Sequence, residues 1–532
     1  MLENLSDLIS ATARRLPEAE ALRFRNSSLN YGELDAAVSD FASAMLALGL
    51  ERSDRIAVLS DKQISTVVAA FGTMRAGCVF VPVNPLAKPD QVAYILANCN
   101  VRVLVTTSAR LAELAPALAD CPDLTSVVLQ DDSVPDLALQ VPVRTWQAAH
   151  SDATTRRSPF RVISSDMASI LYTSGSTGKP KGVVLSHLNM ITGAQSVASY
   201  LENDQHDRIL ALLPLSFDAG FSQLTTAFSV GACVVLHNYL LPGDVIKLVR
   251  KERITGITGV PPLWMQLTQK DWPDDAGDTV RYFANTGGKM PKATLAKLRA
   301  VFRKASPFLM YGLTEAFRST YLPPSEVDNR PDSIGKAVPN VEVLVVAEDG
   351  SLCGPDEPGE LVHRGPLVSL GYWNDPERTA IRFKPVPELP AGLCREELAV
   401  WSGDTVRQDA DGFLYFVGRR DEMIKTSGYR VSPTEVEEVV FASGAVSEVV
   451  AVGVPHPQLG QAIVLFAKAP DDAVEDSDKI IDWMKAKLPN YMQPADIHWR
   501  ETLPRNPNGK LDRKTLLADL GDPYGASDED SA

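Results

Sequence analysis

The stretch YTSGSTGKPKG, Tyr172 to Gly182, follows the apolar run MASIL (Met167 to Leu171), and the rest of the chain is read outward from it. It gathers hydroxyls (Thr173, Ser174, Ser176, Thr177), glycines (Gly175, Gly178, Gly182) and lysines (Lys179, Lys181) into one loop. Glycines let a backbone approach a polyphosphate, hydroxyls and amide N–H groups donate to its oxygens, and lysines neutralise its charge. The loop therefore reads as a phosphate cradle. A plain polar linker has no use for two lysines set among glycines directly behind a buried strand. The P-loop of nucleotide hydrolases is excluded, because five positions on from Gly175 stands Pro180, where that motif demands glycine.

Upstream, from Arg55 to about Thr107, short β-branched runs (IAVLS, CVFVPV, VRVLVTT) alternate with helical stretches (ISTVVAAFGTMRAG, PDQVAYILANCN). This is the rhythm of strands and covering helices in a layered α/β domain. The same rhythm returns over 209–237 and 281–310, so the large domain extends over most of the chain. After about Ser333 the texture shifts to strands broken by Gly and Pro, a β-rich subdomain. The expected class is multi-domain α/β. The expected divisions are a large domain over 1–417, a hinge at 418–421, a small α+β domain over 422–518 and an acidic tail, 519–532.

With 532 residues the chain exceeds what one hydrophobic core usually holds. Its 45% hydrophobic and 22% charged residues are those of a globular protein. A net charge of -15 argues against a nucleic-acid partner, since phosphate backbones demand clustered Lys and Arg. The six cysteines lie far apart without a Cys-x-x-Cys pair and are expected to be buried free thiols in a reducing cytoplasm. The N-terminus places Leu2, Leu5, Leu8 and Ile9 at helical spacing, predicting an amphipathic helix rather than a signal peptide. No stretch reaches the ~20 apolar residues of a membrane span. The cytoplasm is the default location.

The chain resembles the adenylate-forming (AMP-binding) superfamily of acyl- and aryl-CoA ligases, amino-acid adenylation domains and firefly luciferase. The resemblance rests on Tyr172–Gly182 and returns, in the family's order, at YGLTE (Tyr311–Glu315), SGDTV (Ser402–Val406), GRRDEMIKTSGYRVSPTEVE (Gly418–Glu437) and LPRNPNGKLDRKTL (Leu503–Leu516). It implies attack of a carboxylate on the α-phosphate of ATP, expelling pyrophosphate, and then transfer of the acyl group to coenzyme A. It casts Thr314 as a phosphate ligand and Glu315 as the Mg²⁺ carboxylate, hard oxygen suiting that ion. Asp404 becomes the ribose carboxylate, with Arg419 its partner on the nucleotide. The segment NTGGK, with Gly287, Gly288 and Lys289, forms a wall of the adenine pocket with Tyr311 and Gly312. Lys510 matches the lysine that bridges carboxylate and α-phosphate. The small domain would swing about Asp421, after which Gly428 lines the pantetheine tunnel and Arg430 lies near the phosphates.

The acid is less legible. LLPLSFDAGFSQL (Leu212–Leu224) aligns with the family's substrate-lining motif, where many acyl-CoA ligases carry a histidine and this chain has Phe217-Asp218. In amino-acid adenylation domains an aspartate after phenylalanine holds the substrate's amino group. An aspartate capping a helix that begins near Gly220 stands equally open. The acceptor is expected to be coenzyme A, with fatty acids among the candidate acids. The alternatives are a free acyl carrier protein as acceptor, or a non-catalytic nucleotide sensor, which the full set of motif residues disfavours. A modular synthetase is disfavoured too, because only 16 residues follow Leu516. The texture of the whole chain is similar to bacterial acyl-CoA ligases associated with exosortase loci. A homodimer is left open.

Overall fold

The computed structural model describes residues 2–151, 160–173, 180–387, 392, 394, 396–419, 424–431, 433–470, 473–504 and 511–525, with only the backbone of 418, 419, 430, 434, 438 and 514. Two large sheets dominate. In the seven-stranded sheet, Arg55–Leu59, Val79–Pro82, Val101–Thr106 and Ser126–Leu129 run parallel. Its edge is an antiparallel hairpin of Met167–Thr173 and Lys181–Ser186. The strands are short apolar runs because both faces are covered. Ala57, Leu59 and Leu104 face one core, while Val58, Val103 and Val105 face another, as a two-residue period requires.

That second core is shared with the 14-stranded sheet, whose parallel centre includes Arg208–Ala211, Cys233–Leu236 and Tyr282–Asn285. Helices Ile64–Arg75, His187–Tyr200 and Asp218–Val230 lie between the sheets, and so are buried around most of their circumference. Further helices cover the two outer faces, giving alternating helical and sheet layers. Beyond Tyr311 the large sheet turns antiparallel through Thr320–Leu322, Ser333–Ala337, Glu342–Val346, Gly359–Arg364, Leu398–Gln408 and Leu414–Arg419, where the sequence predicted a β-rich unit.

A separate five-stranded sheet begins at Ile424–Thr426 and carries helices Pro433–Ala442 and Ser477–Lys487 against one core. The final helix, Arg513–Leu520, runs two residues beyond the expected end of this unit at 518, and Tyr524 packs on His456 with ring centroids 5.0 Å apart. Apolar Leu516, Leu517 and Leu520 account for the extension, since each joins the same small core. The helix Asp7–Arg15 buries Leu8 and Ile9, as their helical spacing predicts. Among the cysteines, Cys78, Cys99, Cys121 and Cys233 are buried, but Cys353 is half-buried and Cys394 exposed, which corrects the expectation for those two. Cys353 stands in a turn-rich segment beside Gly354 and Pro355 and packs only on the rim of the small core of Val343, Val345 and Leu361. No helix among the described residues is long and apolar enough to cross a membrane.

Candidate functional site

A cavity of about 700 Å³ opens where the small unit docks on the large one. Tyr429 of the small unit stacks on Tyr491 at 3.6 Å and meets Phe217 of the large unit edge-on at 5.2 Å. Gln91 donates to Glu435 at 3.2 Å and Lys487 pairs with Asp90 at 2.6 Å across the same seam. Gly428 sits on Val260: with φ +82, a Cβ there would lie 2.8 Å from Val260 Cγ2. Glycine is needed both for the left-handed turn and for the close approach.

The candidate phosphate loop joins the two strands of the edge hairpin. Ser174, Gly175, Ser176, Thr177, Gly178 and Lys179 lie outside the described residues, as do Asp421 and Lys510. Thr173 and Lys181 face each other in register at the hairpin's end. Thr173 lines the cavity, and its Oγ1 is buried without a hydrogen-bond partner among the described residues, a donor fit for an anionic oxygen. Lys181 is not part of the loop, as the sequence suggested. It begins the return strand and its Nζ is 2.8 Å from Glu315 Oε1 and 2.8 Å from the Tyr372 hydroxyl. The strand geometry fixes its stem, so its charge is spent on a carboxylate.

Glu315 is 5% exposed, in the short helix Thr314–Ala316 that follows strand Ser306–Tyr311. Tyr372 donates to it at 2.6 Å. Burial raises its carboxyl, but Lys181, Arg382 and Tyr372 together outweigh that and hold it well below the usual carboxylate range. The same carboxylate and the burial push the Tyr372 hydroxyl far up, so it stays a donor. Among the described residues no cluster of three or more His, Cys, Asp or Glu could hold a metal. Magnesium carried with a nucleotide needs none, since it keeps waters and takes one or two carboxylates besides phosphate oxygens. Glu315, its carboxyl held low and lining the cavity, fits that role.

Asp404 is buried in strand Leu398–Gln408 and accepts from the Tyr311 hydroxyl, while the register sets Arg419 directly opposite it. Ser402 and Gly312, close to Asp404 and Tyr311 in the chain, line the cavity. Of the NTGGK segment, Thr286 and Gly287 line the cavity. Gly288 does not, and Lys289 turns its three-quarters exposed side chain to Asp332 at 2.9 Å, away from the adenine wall expected of it. The nearer anion wins because nothing apolar covers Lys289. Arg430 pairs with Lys425 in a hairpin whose other end presents Gly428.

The loop after strand Arg208–Ala211 folds back so tightly that a Cβ on Gly220 would lie 1.9 Å from the Pro214 carbonyl oxygen. The following helix begins at Asp218, not near Gly220, and Phe217 is its cap residue, which corrects the capping expectation. Asp218 instead meets Arg318, Oδ2 to Nη1 3.3 Å, with Arg318 3% exposed. Phe317 holds φ at +53, a costly conformation for an aromatic residue, and this turn places Arg318 over the pocket.

Tyr372, Arg382 and Arg318 were missed in the sequence. GYWNDPERT (Gly371–Thr379), the AIR that follows it (Ala380–Arg382) and the FRS after YGLTE carried them, but a single tyrosine or arginine gives no periodic signal. Lys62 was missed likewise: it lines the cavity, donates to the Leu212 and Leu213 carbonyls at 2.6 and 3.2 Å, and burial brings its pKa down to about 7.

Comparison with known proteins shows the family and agrees with the fold. The family model described as AMP-binding enzyme matches residues 9–373, and that for the AMP-binding enzyme C-terminal domain matches 435–510. Linear gramicidin synthase subunits D and C of Brevibacillus parabrevis are 29% and 30% identical over 95% of this chain, which spans only 9% and 6% of their lengths. The L-proline–[L-prolyl-carrier protein] ligase of Pseudomonas fluorescens is 31% identical, covering 94% of this chain and 96% of that protein. The long-chain-fatty-acid–CoA ligase of Salmonella typhimurium is 29% identical, covering 97% of this chain and 94% of that protein. A solved double mutant of o-succinylbenzoate CoA synthetase from Bacillus subtilis, bound with a product analogue, superposes with TM-score 0.81 at 25% identity, covering 97% of this chain and 98% of that one.

Proposed function

The chain belongs to the AMP-binding enzyme family, the adenylate-forming ligases, and we propose that within it the chain is an acid–thiol ligase that makes acyl-CoA. The observation that carries the reading is the shared cavity, which brings Thr173, Thr314 and Glu315 of the large unit within one space with Ser427 and Gly428 of the small one.

In the first step a carboxylate oxygen attacks the α-phosphorus of ATP, and the bond to the β-phosphate breaks to release pyrophosphate. Two anions must meet, so the protein's work is screening and alignment. Thr173 and Thr314 donate to phosphate oxygens, and Asp404, held by Tyr311, takes the ribose hydroxyls. Magnesium, when bound with ATP, supplies further neutralisation of the phosphates through Glu315. Lys181, Arg382 and Tyr372 keep Glu315 ionised and in place. Lys510 bridges carboxylate and α-phosphate, as a compact charge on a flexible stem can.

In the second step the thiol sulfur attacks the acyl carbon, the carbon–oxygen bond to phosphate breaks, AMP leaves, and the thiol proton goes to solvent or base. Gly428 and Tyr429, which line the cavity, are the residues past which a pantetheine arm would reach the adenylate. The small unit moves between the two steps about Asp421, bounding a large domain of 1–417 and a small one of 422–518.

The second reading, loading of a carrier protein, draws on the proline-specific relative. One experiment separates the two: pyrophosphate release with ATP and Mg²⁺ across a panel of acids, with and without coenzyme A. Multiple turnover only with coenzyme A supports the ligase. A single burst that coenzyme A does not relieve transfers the assignment to a carrier protein.

A further inference from the structure

Next to the main cavity lies a small second one, and Ala219 and Arg318 line both. The second cavity holds about 20 Å³, room for a single water-sized group. Its lining is part apolar, with Ile209 and Met310, and part polar.

Three lining residues each carry a buried polar atom without a hydrogen-bond partner among the described residues: Arg318 Nε, Gln223 Oε1 and Thr226 Oγ1. They are 3%, 5% and 3% exposed, so bulk water does not satisfy them. Gln223 is oriented by its own amide nitrogen, which donates to the Leu210 carbonyl at 2.9 Å and leaves the amide oxygen as acceptor. The set is thus one fixed donor, one fixed acceptor and one hydroxyl able to be either. Buried groups of this kind destabilise the protein when left unpaired.

We propose that the acid activated by this chain carries a hydroxyl on its tail, seated in the second cavity between Arg318, Gln223 and Thr226. The inference rests on the ligase reading and names its substrate class. A hydroxyl accepts from Arg318 Nε–H and donates to Gln223 Oε1, and it is small enough for the space. A plain alkyl tail would leave all three atoms unpaired. A tail carboxylate is too large, would face the Gln223 oxygen, and would find the Arg318 charge already neutralised by Asp218 at 3.3 Å. An ammonium group would lie beside the Arg318 guanidinium, so Asp218 is occupied by arginine rather than open to an amino acid.

The test is kcat/KM for pyrophosphate release on matched acids of equal carbon count: the unsubstituted parent, the hydroxyl moved along successive tail carbons, an amino analogue and a dicarboxylate. The expected result is one hydroxy acid exceeding its parent by at least about a hundredfold, since sites built to pair a hydroxyl reject the analogue lacking it by large factors. The double variant Gln223→Leu, Thr226→Val should cut that preference at least tenfold, read as a ratio of two acids within one preparation and so independent of how much protein folds. Parents turned over as well as every hydroxy acid would mean that the second cavity holds a buried water only, overturning the inference while the ligase reading stands. An unchanged ratio in the double variant would place the hydroxyl elsewhere and overturn it too. Silence with every acid, natural or substituted, removes the ligase reading and the inference with it.

Discussion

Replacing Lys181 by methionine tests whether the ion pair beneath the candidate site is what keeps Glu315 charged. The lysine nitrogen lies 2.8 Å from a carboxylate that is 5% exposed. Removing one partner of a buried pair typically costs about 3–5 kcal/mol, because the other charge is left uncompensated. Arg382 and the Tyr372 hydroxyl remain near Glu315, so the lower end, about 3 kcal/mol, is expected. In Lys181→Met with Glu315→Gln the buried charge is gone, and the cost of the lysine change should fall by about 2 kcal/mol, a coupling of the size seen for contacting residues. The assay is urea unfolding followed by tryptophan fluorescence at pH 8 and pH 5. In the parent protein the Glu315 carboxyl is lowered from 4.5, so its stabilisation is present above pH 4.5 and is lost as pH falls through its folded value. Without Lys181 the folded carboxyl rises, the folded state takes up a proton more readily, and the cost of the variant should shrink from pH 8 to pH 5. A loss under about 1 kcal/mol at pH 8, or an equal loss in the Glu315→Gln background, would refute the reasoning.

Gly428→Ala should slow thioester formation while leaving pyrophosphate release from the first turnover nearly intact. Its Cβ would press within 2.8 Å of Val260 only when the small unit is docked as here, and acyl-adenylate accumulation on a quenched gel would read it. Lys510→Ala should do the reverse, abolishing adenylate formation yet sparing thioester formation from synthetic acyl-adenylate; equal loss of both steps would contradict two separate poses. Buried His187 and His363 have pKa values lowered to about 4 and about 3, from 6.5, by desolvation. The unfolded chain then binds protons first, so stability should fall as pH drops below 6.5, by up to about 3 kcal/mol for His187 as its folded value is reached. The slope of the urea midpoint between pH 6.5 and 5 measures this above the range where carboxylates titrate, and His363→Gln should flatten it.

The sequence by itself determined the fold class and the family. Alternating runs such as IAVLS and ISTVVAAFGTMRAG became the strand Arg55–Leu59 and the helix Ile64–Arg75, because strand and helix periods are local properties that burial on both faces only reinforces. The motifs were legible for the same reason: YGLTE and SGDTV are contiguous. Tertiary structure alone decided how their charges are spent. Lys181 reads as a loop cation, yet pairing in the hairpin sets it on Glu315, 134 residues away. Asp218 reads as a cap or an amine ligand until Arg318, 100 residues on, occupies it. Lys289 sits within a promising Gly-Gly motif and points to Asp332 instead. A side chain's charge is visible in one dimension, but its partner is fixed by sheet register, by the fold-back at Gly220 and by the strained turn at Phe317, and each of these forms only when distant segments pack.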